Sequence, residues 1–425
     1  MIPDISLLAD NFSGKIWNKN TQIAFIELLA KDPNFEGEGF NGDLAFSARD
    51  RINRAPKSLG FINLNPNIQL TEVGKLFVLN KRKEEILLRQ LLKFQLPSPY
   101  HIQGENNTFW VKPYLEILRL IKQLETITFD EMCIFAMQLT DFHKFDLIVN
   151  KILAFRNEKE HNAGNYKRFY RSIVIRELRE IYAEEIANNR LETRESADNT
   201  LQKFINTKRS NLRDYTDACF RYLRATGLVA ISHKGCSISI MPDKIADVDY
   251  ILSNIDRTPV FVENMAAYKN YLFNSCVPKL HTDNKDNLID YILRHSEKTR
   301  NQVECLDIEQ LKDLRDDIID ENKNSIVQAQ IKKLKSYSLY NEVIDTYNEI
   351  ISDELYDIPL MLEWNTWRAM TMLDGGCITG NFKIDDAGQP LSTASGNVAD
   401  IVCDYGEFGL TVEVTMQNGQ RQYET

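Results

Sequence analysis

Apolar residues recur at helical spacing over most of the chain and alternate at strand spacing in only a few short runs. The pattern predicts a mainly α fold with small α+β parts. Two stretches repeat one another. In the first, a basic helix over residues 46–60 closes on Gly60. A short run over 61–64 follows, turns through Asn65-Pro66-Asn67, returns over 68–70 and enters a helix at Thr71. In the second, a basic helix over 213–227 closes on Gly227. A run over 228–231 turns through 232–235, returns over 237–240 and leads to a helix after Pro242-Asp243. In both stretches an aspartate, Asp50 or Asp217, stands ten residues before the closing glycine. Helix, two-stranded ribbon, helix is the order of a winged helix-turn-helix, whose recognition helix enters the major groove while the wing lies along the backbone. Two winged recognition units are therefore expected.

Between and after these units the texture changes. Thr128 with Glu131 forms a capping box ahead of the apolar run 132–139, and 145–155 carries a further buried face. Residues 307–347 are dense in Asp, Glu, Lys and Asn, with apolar positions at Leu311, Leu314, Ile318 and Ile319, and read as a polar-faced helical connector. An aromatic-rich helix over 355–372 is followed by Gly375-Gly376, a short segment at 381–384, a loop rich in Gly, Ser and Pro, and two β-like runs at 398–403 and 408–415. The chain divides accordingly into residues 1–125 (first recognition subdomain), 126–282 (helical scaffold and second recognition subdomain), 283–350 (helical linker) and 351–425 (a helix with the start of a β-meander).

Composition sharpens this picture in three ways. With 425 residues, 43% of them hydrophobic, the chain exceeds one ordinary core, and no window reaches the ~18 continuous apolar residues of a membrane span. A soluble cytoplasmic protein without membrane contact is expected. Seven scattered cysteines without a Cys-x-x-Cys pair, and six histidines without ligand spacing, argue against zinc and a disulfide framework. The net charge of −10 hides an asymmetry: residues 151–240 hold 17 Lys plus Arg against 11 Asp plus Glu, whereas residues 301–425 hold 9 against 23. A basic middle suits phosphate contact, and an acidic end suits carboxylates with another task.

Candidate DNA contacts follow from the repeated helices. Arg49, Arg51, Arg54 and Lys57 fall within about two turns, and Arg221 and Arg224 lie three apart on one predicted face. An arginine fork can pair with guanine edges or with phosphate. Winged units also serve as protein-interaction domains, in which such arginines are merely solvated. In the β-like runs, Asp400 and Glu413 interrupt apolar sequence on neighbouring strands, and Glu363 lies on the preceding helix. A carboxylate pair of this kind can hold a hard divalent ion. By spacing alone, carboxylates at strand ends are ordinarily solvent-facing.

Resemblance adds the decisive weight. Glu363-Trp-x-x-Trp367, Gln389-Pro390, Ala394-Ser-Gly396-Asn397-x-x-Asp400, and Glu413-Val-Thr415 with Gly419 resemble the catalytic start of the AlwI family of type IIS restriction endonucleases, which includes strand-nicking enzymes. Ala45-Phe-Ser-x-Arg49-Asp-Arg51, Gly60-Phe61, Leu70-Thr-Glu-x-Gly-Lys75, Phe155-Arg-Asn-Glu158 and Asp217-Ala-x-x-Arg221-Tyr-x-Arg-x-Thr-Gly-Leu228 resemble its recognition half. The resemblance implies the start of a PD-(D/E)XK α/β nuclease core. In it Asp400 and Glu413 hold Mg²⁺, for which Mn²⁺ can substitute, the Val414 carbonyl helps, and Glu363 assists. It implies a bacterial enzyme that reads a short asymmetric site in double-stranded DNA and cuts, or nicks, a few base pairs away. A second nuclease subunit or transient dimerisation would serve double-strand cutting.

Three departures stand out. Ala399 replaces the usual Pro and Thr415 the usual Lys, which leaves the ion itself or a polar group such as Gln417 to activate water. The family continues beyond Thr425, with another acidic residue just after the segment equivalent to 422–425, so a truncated core with little or no cutting is expected, and Glu424 is not counted among the ligands. A DNA-binding module without catalysis and a paired winged-helix transcription regulator are the alternatives.

Overall fold

Side chains that satisfy exposed helix-end amides set many of the helix starts in the computed structural model, which describes residues 1–32, 42–101, 109–162, 164–193, 196–373, 375–395 and 398–416. Asp43 caps the helix Leu44–Asn53 by accepting from the Phe46 amide at 3.1 Å. Thr71 caps Glu72–Leu79 by accepting from Gly74 at 2.9 Å. Thr128 and Glu131 form the expected reciprocal box ahead of Phe129–Ile134, and Asp307 with Gln310 forms another ahead of Ile308–Lys335.

The first basic helix is not continuous. Leu44–Asn53 stops and a separate turn, Ala55–Ser58, begins, because Pro56 has no amide hydrogen to give to a preceding turn. Gly60 then closes the segment at φ +77°, and an added Cβ there would come within 2.6 Å of Leu272 Cγ, so both backbone and space require glycine. The ribbon that follows is minimal: Ile62–Asn63 pairs antiparallel with Gln69–Leu70. Two apolar clusters hold this part together, one around Phe25, Ile52 and Ile68, the other around Phe61, Phe77 and Leu91.

In the second unit the long helix Leu201–Arg224 starts well before the predicted basic segment, ends near Gly227 at φ +68°, and feeds Val229–Ser232 and Ser237–Ile240. A third strand, Thr126–Thr128, pairs with the other edge of Ser237–Ile240, which lies in the middle of the sheet. The core beneath takes Leu115, Leu118 and Ile121 from the helix Pro113–Leu124 together with Phe155, Phe220 and Ile238. Apolar packing thus runs straight through position 125, where the sequence places a boundary.

The connector is two helices, Ile308–Lys335 and Tyr340–Ile351. At 1.5 Å per residue, the 28-residue first helix spans about 42 Å. Its Leu311 and Ile318 pack with Leu288, Ile289 and Ile292, while its Leu334 joins Trp364 and Trp367 in the C-terminal core. Its N-terminal half is also held by charge. Arg82 pairs with Glu309 and Asp316, each at 2.7 Å, and with Asp313. Asp283 receives Arg89 at 2.7 Å and Lys312 at 3.2 Å. No helix among the described residues is long and apolar enough to cross a membrane.

Burial alone would raise the Asp283 carboxyl. Hydrogen bonds from Arg89 and the Leu280 amide, with the charges of Arg89 and Lys312, outweigh it and hold the group down at about 2. A depressed carboxyl contributes stability above its unfolded pKa and loses it as pH falls through the folded value. Asp283→Asn should therefore destabilise the chain by about 2 kcal/mol at pH 7. The difference between wild type and variant should shrink as pH falls from about 4 towards 2, measured by urea unfolding. An Asn variant as stable as the wild type at pH 7 would show that the pairing contributes nothing.

Candidate active site and basic residues

The C-terminal part packs the helix Ile358–Thr371 against a three-stranded antiparallel sheet. Ile401–Asp404 is the middle strand, flanked by Gly409–Val412 and Cys377–Gly380. Strand alternation decides which residues face the helix. Ile401 and Cys403 are fully buried in one core with Ile378, Trp364 and Trp367, while Val402 and Asp404 are exposed. Trp367 Nε1 donates to the Ile378 carbonyl at 3.2 Å, tying helix to edge strand.

Asp400 and Glu413 lie just outside the strands rather than within them: one precedes Ile401 and the other follows Val412. The register pairs Ile401 with Val412, and one further step sets Asp400 opposite Glu413. The hairpin is closed at that end by the Val414 amide, which donates to Asp400 Oδ2 at 2.7 Å. Glu363 is 3% exposed on the helix and accepts the Ala394 amide at 2.9 Å.

These carboxylates feel one another. Burial first, then the charges of Asp400, Glu413 and Asp357, push Glu363 up to about 7 against the opposing Ala394 hydrogen bond. Burial and Asp400 likewise raise Glu413. Hard oxygen donors that repel one another suit a divalent cation. Among the described residues, however, no three His, Cys, Asp or Glu side chains stand close enough together to hold a metal. The fit is thus to the facing pair Asp400 and Glu413, in keeping with an ion that takes one or two carboxylates and keeps its waters.

The family-type departures sit beside this pair. The Ala399 carbonyl accepts Asn381 Nδ2 at 2.6 Å, and Thr415 is exposed. Gly396, Asn397, Gln417, Gly419 and Glu424, and the segment 422–425, lie outside the described residues. Sequence reasoning missed Asp357, which ends the loop before Ile358–Thr371 at φ +58° and adds to the charge on Glu363. Its place just ahead of Ile358-Pro359, at a helix start, is the signal that could have found it.

Most of the predicted basic residues are already paired. Arg49 donates to Gln22 Oε1 at 3.0 Å and lies 3.8 Å from Asp43; Arg51 meets Asp4 at 2.6 Å; Arg54 meets Asp50 at 2.5 Å. Lys57 lies over the Tyr100 ring, its pKa lowered by burial and by Lys269. Arg221 is 64% exposed and 2.8 Å from Asp217, whereas Arg224 is only 11% exposed and reaches Asp357 at 3.5 Å. The expectation that Arg221 and Arg224 share one presented face therefore needs correction, because the C-terminal part covers Arg224. The ribbon tip is covered as well. Lys234 forms an antiparallel bridge with Leu355 and an ion pair with Glu349, and His233 Nδ1 donates to the Tyr356 carbonyl at 2.8 Å. Tyr356 in turn donates to Asp217 at 3.0 Å.

A carboxyl raised by folding stabilises the folded state below its unfolded pKa relative to higher pH, and that advantage is lost as pH rises through the folded value. In chelator, the wild type should lose stability between about pH 4.5 and 7, by up to about 3 kcal/mol. Glu363→Gln should flatten that decline. A variant whose unfolding midpoint follows the wild type across this range would remove the raised Glu363 from the description.

The family model described as AlwI restriction endonuclease matches residues 57–425. No curated protein sequence matches. One solved structure with a similar arrangement is a crystal structure of pyrene- and phenanthrene-modified DNA in complex with the BpuJ1 endonuclease binding domain. It is 13% identical, with a TM-score of 0.41, covering 64% of this chain and 91% of that one. Since the family match takes in both the basic helices' second copy and the carboxylate hairpin, the chain belongs to the AlwI restriction endonuclease family and is a nuclease acting on DNA.

Proposed function

We propose that the chain is a type IIS endonuclease, or a nicking relative, that reads a short asymmetric duplex site through two winged-helix units. It hydrolyses phosphodiesters a few base pairs away with a PD-(D/E)XK-type site, in the bacterial cytoplasm. The observation that carries this is the facing pair Asp400 and Glu413 at one end of a hairpin, with the buried Glu363 on the neighbouring helix responding to their charge, in a chain of a nuclease family. Asp400 and Glu413, with the Val414 carbonyl, would hold Mg²⁺ or Mn²⁺. When bound, such an ion supplies Lewis-acid stabilisation of the phosphorane charge and a water of lowered pKa.

The chain's own residues do the rest. The Val414 amide fixes one oxygen of Asp400, leaving its other oxygen as ligand. The Ala394 amide fixes Glu363 behind the pair, where it answers to their charge and assists from the helix. In the recognition half, Arg49, Arg51, Arg54, Lys57 and Arg221 are the DNA contacts of this reading. Arg224 leaves the set because Asp357 holds it beneath the C-terminal part. A second nuclease subunit, or transient dimerisation on DNA, would supply the second cut.

Plasmid incubated with the chain and Mg²⁺, followed by run-off sequencing of both strands, should give a discrete site, offset and strand choice, against the sequence expectation of little or no cutting. Asp400→Ala and Glu413→Ala should abolish cutting while leaving the Kd for the site within about twofold, since they remove ligands of the ion and none of the named basic side chains. Cutting retained by Asp400→Ala would sink the site assignment. Site-specific binding without cutting by the wild type would favour a binding module without catalysis. Arg49→Ala or Arg51→Ala should relax preference at particular base positions by roughly 1–3 kcal/mol. A uniform loss over all sequences would make them phosphate contacts instead.

A further inference from the structure

The residues picked from the sequence as DNA contacts are, apart from Lys57, already engaged by carboxylates. Each would have to give up an ion pair to take a phosphate. A different part of the basic middle is not so engaged. Between the helices Tyr166–Ile181 and Leu201–Arg224 runs an open groove of about 310 Å³ with Arg171 and Arg179 on one wall and Arg209 on the other. None of these three arginines forms an ion pair or a side-chain hydrogen bond with any described residue. Three acids of the adjoining helices pair elsewhere: Glu177 and Glu180 with Lys151, and Glu184 with Arg190. Gln202 and Asn206, hydrogen-bonded to each other at 3.1 Å, lie beside Arg209, and Val174 and Ile205 form the floor.

Three unneutralised guanidinium groups around a groove attract a polyanion, and their planar forks suit phosphate oxygens. Arg171 and Arg179 are eight residues apart on one helix, about 12 Å along its axis, or three to four base-pair rises of a duplex strand. Amide side chains beside them are the usual companions of backbone contacts, and an apolar floor accepts sugar edges.

We propose that this groove binds the phosphodiester backbone of duplex DNA without reading bases, and that it sets the register of the duplex for the winged units. The proposal rests on the reading that the chain binds DNA, and adds a surface that its repeated helices do not contain. Arg209 lies on the same long helix as Arg221, so a duplex held in the groove is held by the element that presents Arg221.

The test compares wild type with Arg171→Gln/Arg179→Gln/Arg209→Gln and with the corresponding triple Lys variant. Binding to two unrelated duplexes is measured by fluorescence anisotropy over a range of KCl. Each lost phosphate contact should flatten the slope of log K against log salt by about 0.9, so the Gln variant should lose up to about 2.7. Its Kd should weaken equally on both duplexes, while the Lys variant keeps most of the slope. An unchanged thermal midpoint, expected because Arg171 and Arg179 are exposed and the half-buried Arg209 forms no ion pair with a described residue, shows that the Gln variant is folded. If the triple Gln variant fails to fold, the single Arg171→Gln and Arg179→Gln variants replace it, each expected to flatten the slope by about 0.9 on both duplexes, and wild-type slopes in both overturn the proposal. Wild-type slope and affinity in a folded Gln variant overturn the proposal while leaving the DNA reading intact. A loss confined to one duplex overturns it as well, because the groove would then read bases. Failure of the wild type to bind either duplex defeats the DNA reading itself.

Discussion

One helix sets the relation between the two ends of this chain. Ile308–Lys335 is polar on most of its surface, yet it places Leu311 and Ile318 in one core and Leu334 in another. Its middle is held as well, by Lys323 against Asp386 at 3.4 Å and by Val327 and Ile331 against the C-terminal core, so the hold runs along the helix. At the N-terminal half that hold is electrostatic as well as apolar, through Arg82, Asp283 and Lys312. At the C-terminal end it is the packing of Leu334 against Trp364 and Trp367. The same two tryptophans line the helix that carries Glu363, so the strut and the candidate site share one set of contacts.

The candidate site is then a problem of like charges. Three carboxylates near one hairpin end, one of them 3% exposed, are costly to ionise together. The protein offsets part of that cost with backbone amides, Ala394 to Glu363 and Val414 to Asp400. Amides hold the groups in place without neutralising them, and a divalent cation would do the latter. The basic side chains of the two repeated helices face the opposite condition, since their own carboxylates mostly neutralise them already. That contrast is why the unpaired arginines of the groove stand out.

Much of this was legible in the sequence because it is local. Gly60 and Gly227 adopt the left-handed conformation that a helix-to-ribbon turn needs, Thr128 and Glu131 cap as their spacing says, and Asp400 and Glu413 come to face each other because a hairpin joins them. The break before Ala55–Ser58 was also local, announced by Pro56, although a continuous helix was expected there. What stayed hidden depends on partners far along the chain. Thr126–Thr128 becomes a strand only because Ser237–Ile240 comes to lie beside it. Arg224 is withdrawn from Arg221's face by Asp357, and the ribbon tip meets Leu355 and Tyr356 rather than solvent. Helical periodicity carries no record of such pairings. A local charge count did register the basic groove, as an excess over residues 151–240, but could not say which arginines lack carboxylate partners.

The account stands on Asp400 and Glu413 holding a divalent ion. The most direct measurement is Mn²⁺ binding to the metal-free chain without DNA, followed by electron paramagnetic resonance and competed with Mg²⁺, for the wild type, Asp400→Ala and Glu413→Ala. The account predicts a bound Mn²⁺ that Mg²⁺ displaces in the wild type and that both variants lose while remaining folded. Equal binding by all three proteins, or no binding by the wild type, would contradict it.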